Sequence, residues 1–484
     1  MKICFVASEV APLSKTGGLA DVSGALPRHL HTLDHDVRIF TPLHATIDQS
    51  PLQLQSVPEF TDVPVLLGAR EFRCSVLTCT LPGSEVPIYL IDCPALYNRT
   101  TIYTNGDDEH LRFLLLQFVT LEACQRLKFA PDILHCNDWH TALLPLLLKT
   151  HYGWDRLFAR TRTLLSIHNI GFQGQFSSST LAAAKLSDFA KQLDAEDLAN
   201  GRINWLKEGI RHAHRVCTVS PSYAREICEP VGGHGLDGAL NARGDEIAGT
   251  LNGVDYAEWN PASDARLPHC YRPADLSGKL RMKRALLKSC HLHENDRVPL
   301  VGNISRLTKQ KGFDLVVEVM PELLQQREFA FCSLGSGEAH YEDFFTDLAN
   351  RFPERVFFSR GYDEDLAHWI EAGSDMFLMP SMYEPCGLNQ LYSLKYGTIP
   401  IVRSTGGLAD SVQMWDAATR KGTGVVFNDY DVPAIRWALH TALDLFKDRT
   451  AWSQLMQNGM AMDFSWERQA KEYLALYREM GGST

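Results

Sequence analysis

The chain has 484 residues, of which 45% are hydrophobic and 22% charged, with a formal net charge of −11 at pH 7. That length gives roughly three domains of ~150 residues or two larger ones, with ample chain for a core. The acidic balance argues against nucleic acid or an anionic membrane surface as the main partner.

The first predicted element is a strand over 2–8, K-I-C-F-V-A-S. Its apolar run is too short for a signal peptide, and no later run approaches the ~18 apolar residues of a membrane span. A cytoplasmic protein is expected. The 12 cysteines are scattered without a C-x-x-C pair, as for free thiols in a reducing compartment.

Further strands are predicted over 36–41, 88–92, 132–136, 163–168 and 215–220. A second series covers 299–305, 329–334, 355–359, 375–379 and 398–402. Most are continuously apolar and alternate with helical patterns. That is how parallel strands covered on both faces read. Between the series, Asn252-Gly253 is a turn signal and Pro261 a breaker. The expected fold is α/β: two doubly wound domains, 1–250 and 251–464, holding a ligand at the carboxyl ends of their strands in a central cleft. In the tail, 465–484, Trp466, Ala470, Tyr473, Leu474 and Tyr477 mark one buried helical stripe.

The six letters T-G-G-L-A-D occur twice, at 16–21 and 405–410. In each, paired glycines sit between a strand and a helix, where backbone N–H groups can approach an anion. Only the first copy is preceded by a cation, Lys15; Ser404 precedes the second. Residues 15–18, with Gly17 and Gly18, read either as an anion site or as a tight strand–helix turn with a surface lysine, and the second copy is expected to shape the floor of its own domain. A Walker A loop is absent. The closest dinucleotide-type fragment, G-S-G-E-A-H at 335–340, lacks its third glycine.

In I-S-R-L-T-K-Q-K-G at 304–312, Arg306 and Lys311 follow a strand's carboxyl end, where two cations suit phosphate. In E-P-C-G-L at 384–388, Glu384 stands between a strand and a helix, as a helix cap or a sugar contact. Cys386 there reads as backbone contact and packing rather than as a nucleophile. H-C-N-D-W-H and S-I-H-N-I-G-F-Q-G set Asp138, His140, His168 and Asn169 after successive strands, a grouping that favours a sugar pocket over a metal site.

K-T-G-G-L, N-D-W-H, H-N-I-G-F-Q-G, L-N-G-V-D, S-R-L-T-K-Q-K-G, E-P-C-G-L, S-T-G-G-L-A-D and the closing D-F-S-W resemble bacterial glycogen synthases and plant starch synthases, in order and spacing, from about residue 2 to about 480. The resemblance implies a GT-B fold, a last helix that crosses back to the first domain, and transfer of glucose from ADP-glucose to an α-1,4-glucan with retention and without a metal or other cofactor. It implies donor contacts from Lys15, Gly17, Gly18, Arg306, Lys311, Glu384 and the Cys386, Gly387 and Leu388 backbone, with Tyr362 near the adenine. Asp138 and His168 would line the reacting face, and Asp21 and Asn252 would meet the acceptor.

The chain departs from its relatives at three places. A second glutamate, carried by many retaining relatives of this fold, is Tyr392 here, which fits the synthases rather than sucrose- or lipid-directed transferases. Asn389 replaces a common threonine, and Gly171-Phe172 a common Ala-Tyr. Two rival readings are a UDP-glucose-dependent transferase and a catalytically silent glucan-binding homologue. Loss of Lys15, Arg306, Lys311 or Glu384 would mark the latter, and all four are present. Lys311→Ala is expected to cut turnover while leaving stability nearly unchanged.

Overall fold

The computed structural model describes residues 1–481. The chain divides into two α/β units: Met1–Leu251 completed by the C-terminal helix Trp466–Glu479, and Asn252–Ser465.

The first unit is built on a 10-stranded sheet. Its parallel part runs in the order Ile247–Gly249, Arg215–Thr218, Arg162–Ile167, Ile133–Asn137, Lys2–Val6, Asp36–Pro42, Pro87–Asp92. Antiparallel strands, Arg70–Thr80 with Val63–Leu67 and Gln55–Ser56, extend the last edge. From Lys2–Val6 the chain builds outward on one side, then returns to lay Ile133–Asn137 on the other. The strand order therefore reverses between these two central strands.

The second unit repeats the plan with 6 parallel strands, ordered Val356–Arg360, Ala330–Gly335, Leu300–Ile304, Met376–Met379, Ile399–Arg403, Val425–Phe427. Its order reverses between Leu300–Ile304 and Met376–Met379.

Every strand predicted from the sequence forms. Several end one or two residues early, at Val6, Ile167, Thr218 and Ile304. The polar residues Ser8, His168, Ser220 and Ser305 lie just past these strand ends. The strands not predicted are short edges, Ile247–Gly249 and Val425–Phe427, the antiparallel extension, and a separate two-stranded antiparallel sheet of Gln175–Ser177 with Arg202–Asn204. Among the described residues no helix is long and apolar enough to cross a membrane.

Each core explains its helices. In the first unit Val22, Leu26 and Leu30 of helix Gly18–Thr32 bury against Ile3, Phe5 and Ile39. The last helix joins the same core through Trp466, Ala470, Tyr473, Leu474 and Tyr477, the stripe read from the sequence. Tyr477 Oη lies 2.8 Å from His135 Nδ1, and Arg215 donates to Glu479 at 3.0 Å. Burial holds His135 neutral, down to about 3. In the second unit Val316, Val319 and Met320 of helix Phe313–Gln326 pack on Val301, Phe331 and Ile399.

Trp466 anchors a helix that follows the second unit in sequence yet completes the first. Truncation of a fully buried tryptophan costs about 3–5 kcal/mol. Trp466→Ala is therefore expected to lower the unfolding midpoint of the first unit, read by chemical denaturation with limited proteolysis of the last helix. An unchanged midpoint would contradict this packing.

Candidate active site

Both reversal points are where an open α/β sheet leaves a crevice at its carboxyl edge. Lys15, Gly17, Gly18 and Asp138 follow the reversal strands of the first unit, and Arg306, Lys311 and Glu384 those of the second.

In the first unit the strand Lys2–Val6 leads into the loop that carries Glu9 and Lys15–Gly17. Glu9 is buried, and one of its oxygens accepts both the Thr16 N–H at 2.5 Å and the Thr16 hydroxyl at 2.8 Å. That carboxylate ties down the loop just before its glycines. Burial raises Glu9 to about 6 against the lowering effect of the Thr16 bonds. Lys15 Nζ donates to Asp21 Oδ1 at 2.6 Å, one turn into the helix. Both groups are solvent-accessible. Gly17 caps the helix, and a Cβ built on Gly17 or Gly18 meets nothing within 4 Å. Nothing in the folded chain demands glycine at these positions.

The neighbouring strand Ile133–Asn137 runs into Asp138, whose φ of 54° lies in the left-handed region. Such a backbone costs on the order of 1–3 kcal/mol in a residue other than glycine. The conformation turns the carboxyl toward the next strand end, where Oδ1 accepts the His168 N–H at 2.7 Å and the Asn169 N–H at 3.4 Å. Burial pushes Asp138 up to about 7, and the charge of Glu9 adds to the rise.

His168 Nε2 lies 2.9 Å from Asn137 Oδ1, whose Nδ2 donates to the Val6 carbonyl at 3.0 Å. The amide orientation is thereby fixed, so His168 donates through Nε2–H and keeps Nδ1 as an acceptor. Burial holds the ring neutral, down to about 3.

His140, expected at the same rim, is instead a core residue. Its ring packs between Phe113, Tyr103 and Trp139, with Nδ1 3.3 Å from Ser8 Oγ. Trp139 is its neighbour in the chain, but Phe113 and Tyr103 come from other segments that local sequence could not reveal. Asn169 closes a turn by accepting the Gly171 N–H at 3.0 Å, and Phe172 beside it is exposed.

In the second unit Arg306 lies exposed just past Leu300–Ile304. Gly312, at φ 80°, closes that loop so tightly that a Cβ would meet the Pro380 carbonyl at 2.1 Å. This approach brings Lys311 to Glu384. Lys311 Nζ donates to Glu384 Oε2 at 2.5 Å, and the Ser381 hydroxyl donates to the same oxygen at 3.1 Å. Glu384 is almost fully buried.

Cys386 is buried with its thiol pushed up to about 12, chiefly by burial, which agrees with packing rather than nucleophilic chemistry. The Asn252 backbone N–H faces that thiol, and its side chain is buried. Gly387, at φ 73°, and Leu388 lead into helix Asn389–Tyr396. Asn389, the threonine replacement, donates to the Ile304 carbonyl at 2.7 Å and so ties this helix start to the adjacent strand end. Tyr362 is exposed after the outermost strand Val356–Arg360, two strands from Lys311, or about 10 Å. Tyr392 stacks on Trp259 with ring centroids 3.9 Å apart, so this departure is a packing choice.

The second T-G-G-L-A-D differs from the first. A Cβ on Gly406 would meet the Glu384 carbonyl at 2.0 Å, and one on Gly407 the Cys386 carbonyl at 2.1 Å. The Gly407 N–H donates to the Glu384 carbonyl at 3.1 Å. Its amide is thus spent inside the domain rather than offered outward. This glycine pair is a brace that lets the Glu384 loop lie flat on the next helix start. Glu9, Thr16, Asn137 and Ser381 are the site neighbours that the sequence reading passed over. Only Glu9, an acid directly after a buried strand, carried a visible signal.

The two Rossmann-like units define a glycosyltransferase of the GT-B class, and comparison with known proteins agrees. Residues 2–242 match the starch synthase catalytic domain, and residues 291–458 match glycosyl transferases group 1. Glycogen synthases of an Anaeromyxobacter species and of Thermosipho africanus are 44% and 40% identical, each over 99% of both chains. The catalytic domain of starch synthase IV from Arabidopsis thaliana, solved bound to ADP and acarbose, is 33% identical with a TM-score of 0.91 over 99% of both chains. A sucrose-phosphate synthase from Thermosynechococcus elongatus shares the fold, with a TM-score of 0.61 at 16% identity. The chain belongs to the glycogen synthase and starch synthase family.

Two predictions follow from the geometry. Gly407→Ala should cost about 1–3 kcal/mol of stability through overpacking. Gly17→Ala should stay within about 0.5 kcal/mol while losing most activity; equal stability losses would contradict the distinction. The second concerns Asp138, whose ordinary value is 3.8. An acid raised by folding is favoured protonated, so its contribution is full below the unfolded value and lost as pH rises through about 7. The difference in unfolding free energy between wild type and Asp138→Asn should therefore fall by about 1.4 kcal/mol per pH unit between about pH 5 and 7 and level off above. A flat difference would mean that Asp138 is ionised throughout.

Proposed function

We propose that the chain transfers glucose from ADP-glucose to the non-reducing 4-OH of an α-1,4-glucan with retention, releasing ADP and requiring no metal. The observation that carries this reading is the cluster of Arg306, Lys311 and Glu384 at the reversal point of the second sheet. Family membership gives the cluster its substrate class. The plant starch synthase solved with ADP and acarbose supports a nucleotide diphosphate donor and a glucan-like acceptor.

The sugar–phosphate bond breaks toward a diphosphate that gains negative charge. Fixed cations aimed at that charge are the largest catalytic lever. Arg306 and Lys311 supply them in the second unit. In the first unit Lys15 and the N–H groups at Gly17–Gly18 offer the same kind of contact to a diphosphate. Tyr362, about 10 Å along the sheet edge, suits the far end of a nucleotide.

Glu384 and the Cys386–Leu388 backbone grip the transferred glucose. The Nδ1 of His168 accepts from one of its hydroxyls, and Asp138 orders the strand end that carries His168. Asp21 and Asn252 are assigned to the acceptor. Retention ordinarily invokes a carboxylate nucleophile, but Asp138 is engaged with backbone N–H groups and Glu384 with Lys311. The proposed route is the one ascribed to related enzymes: the acceptor hydroxyl arrives on the face the diphosphate leaves, and the departing phosphate takes its proton.

Glucose incorporation into glycogen tests the reading. ADP-glucose is expected to far outpace UDP-glucose, with no effect of chelator. Equal rates with both donors, loss on chelation, or glucan binding without transfer would each overturn it. Lys311 pairs with the buried Glu384, so Lys311→Ala is now expected to lose stability as well, by about 1–3 kcal/mol. Arg306→Ala is the cleaner probe. It should cut kcat by about 100-fold or more with stability within about 0.5 kcal/mol.

A further inference from the structure

Away from the reversal point, the second unit holds a cluster with ligand chemistry and no part in the reaction above. Glu258, on the loop that opens the unit, and Glu364 and His368, on helix Glu364–Gly373, bring one ligand atom each to within 4.8 Å of one another. Glu364 and His368 are four residues apart on one helical face. Acids at a helix start ordinarily answer the helix dipole. Here Asp363 already caps the helix by accepting the Leu366 N–H at 2.9 Å.

His368 is what an acidic helix start does not explain. It is fully buried, and its Nε2 has no hydrogen-bond partner. A buried polar atom left unpaired is costly. Its Nδ1 lies 2.7 Å from Asp264 Oδ2, which also accepts the Tyr396 hydroxyl at 2.6 Å. With Nδ1–H held by Asp264, Nε2 is the nitrogen left to complete the group. A carboxylate behind an imidazole is the usual way a metal-ligating histidine is oriented. Stacking on Trp259, with centroids 3.7 Å apart, fixes the ring plane.

We propose that Glu258, Glu364 and His368 bind a divalent transition-metal cation of the zinc class, with water completing its shell. One imidazole and two carboxylates form a three-ligand zinc set, whereas magnesium and calcium take oxygen ligands. Tetrahedral zinc holds its ligand atoms about 3.3 Å apart, so the two exposed glutamates swing inward by about an ångström. Arg266 Nη2 stands 3.5 Å from Glu364 Oε1 and Nη1 2.6 Å from Asp365. The cation takes over Glu364, and Asp365 keeps the guanidinium. Bound there, the metal rivets the loop that carries Trp259 to the helix and takes no part in glucosyl transfer.

The full chain, stripped with chelator and with accessible thiols alkylated, is titrated with Co²⁺. The expected result is one equivalent bound, with the weak visible bands of nitrogen and oxygen ligation and no thiolate band in the near ultraviolet. The double variant Glu258→Gln/Glu364→Gln, altered only at exposed positions, should bind at least tenfold more weakly. Zn²⁺ should raise the melting temperature of the wild type and not that of the double variant. Absence of saturable binding, equal affinity in the double variant, or a thiolate band would overturn the proposal.

Discussion

Parallel strands cannot be joined by tight turns, and that constraint organises both units. Each strand must send the chain back across a face of the sheet before the next begins. A sheet that grows outward from its centre therefore leaves the carboxyl ends of two central strands facing open space. In the first unit these ends are Val6 and Asn137; in the second they are Ile304 and Met379. The polar loops that follow them have no sheet neighbour to satisfy and are available for a ligand.

The two reversal points are furnished with opposite electrostatics. In the first unit Glu9 and Asp138 are buried acids, each raised chiefly by burial, with the charge of Glu9 adding to the rise of Asp138. In the second unit Lys311 and Glu384 neutralise each other directly. The Ser381 hydroxyl donates to the same carboxylate and gives Glu384 a second partner.

Continuous apolar runs made the central strands legible, because burial on both faces leaves a plain signal. Ile247–Gly249 and Val425–Phe427 left none, since a three-residue edge strand is defined by its neighbour rather than by its own composition. Motif residues at strand ends were legible as a group: Asp138, Lys311 and Glu384 lie at the reversal points, and His168 at the strand end beside Asp138. Their partners were not. Nothing local to Asn137 says that its amide fixes the proton on His168. Nothing in H-C-N-D-W-H says that His140 faces aromatic rings from distant elements. The sense of the Gly406-Gly407 pair depends on carbonyls some twenty residues away. Tyr392 was legible as a residue that fits the synthases, but not its stacking on Trp259, more than a hundred residues earlier.

The two glycine pairs also stand under different kinds of constraint during sequence drift. Gly406 and Gly407 are demanded by the carbonyls packed against them, so any descendant that still folds must keep them. Gly17 and Gly18 face open space, and only a ligand gives a reason to retain them. A homologue that kept the fold and lost its trade would betray itself at the first T-G-G-L-A-D while preserving the second letter for letter.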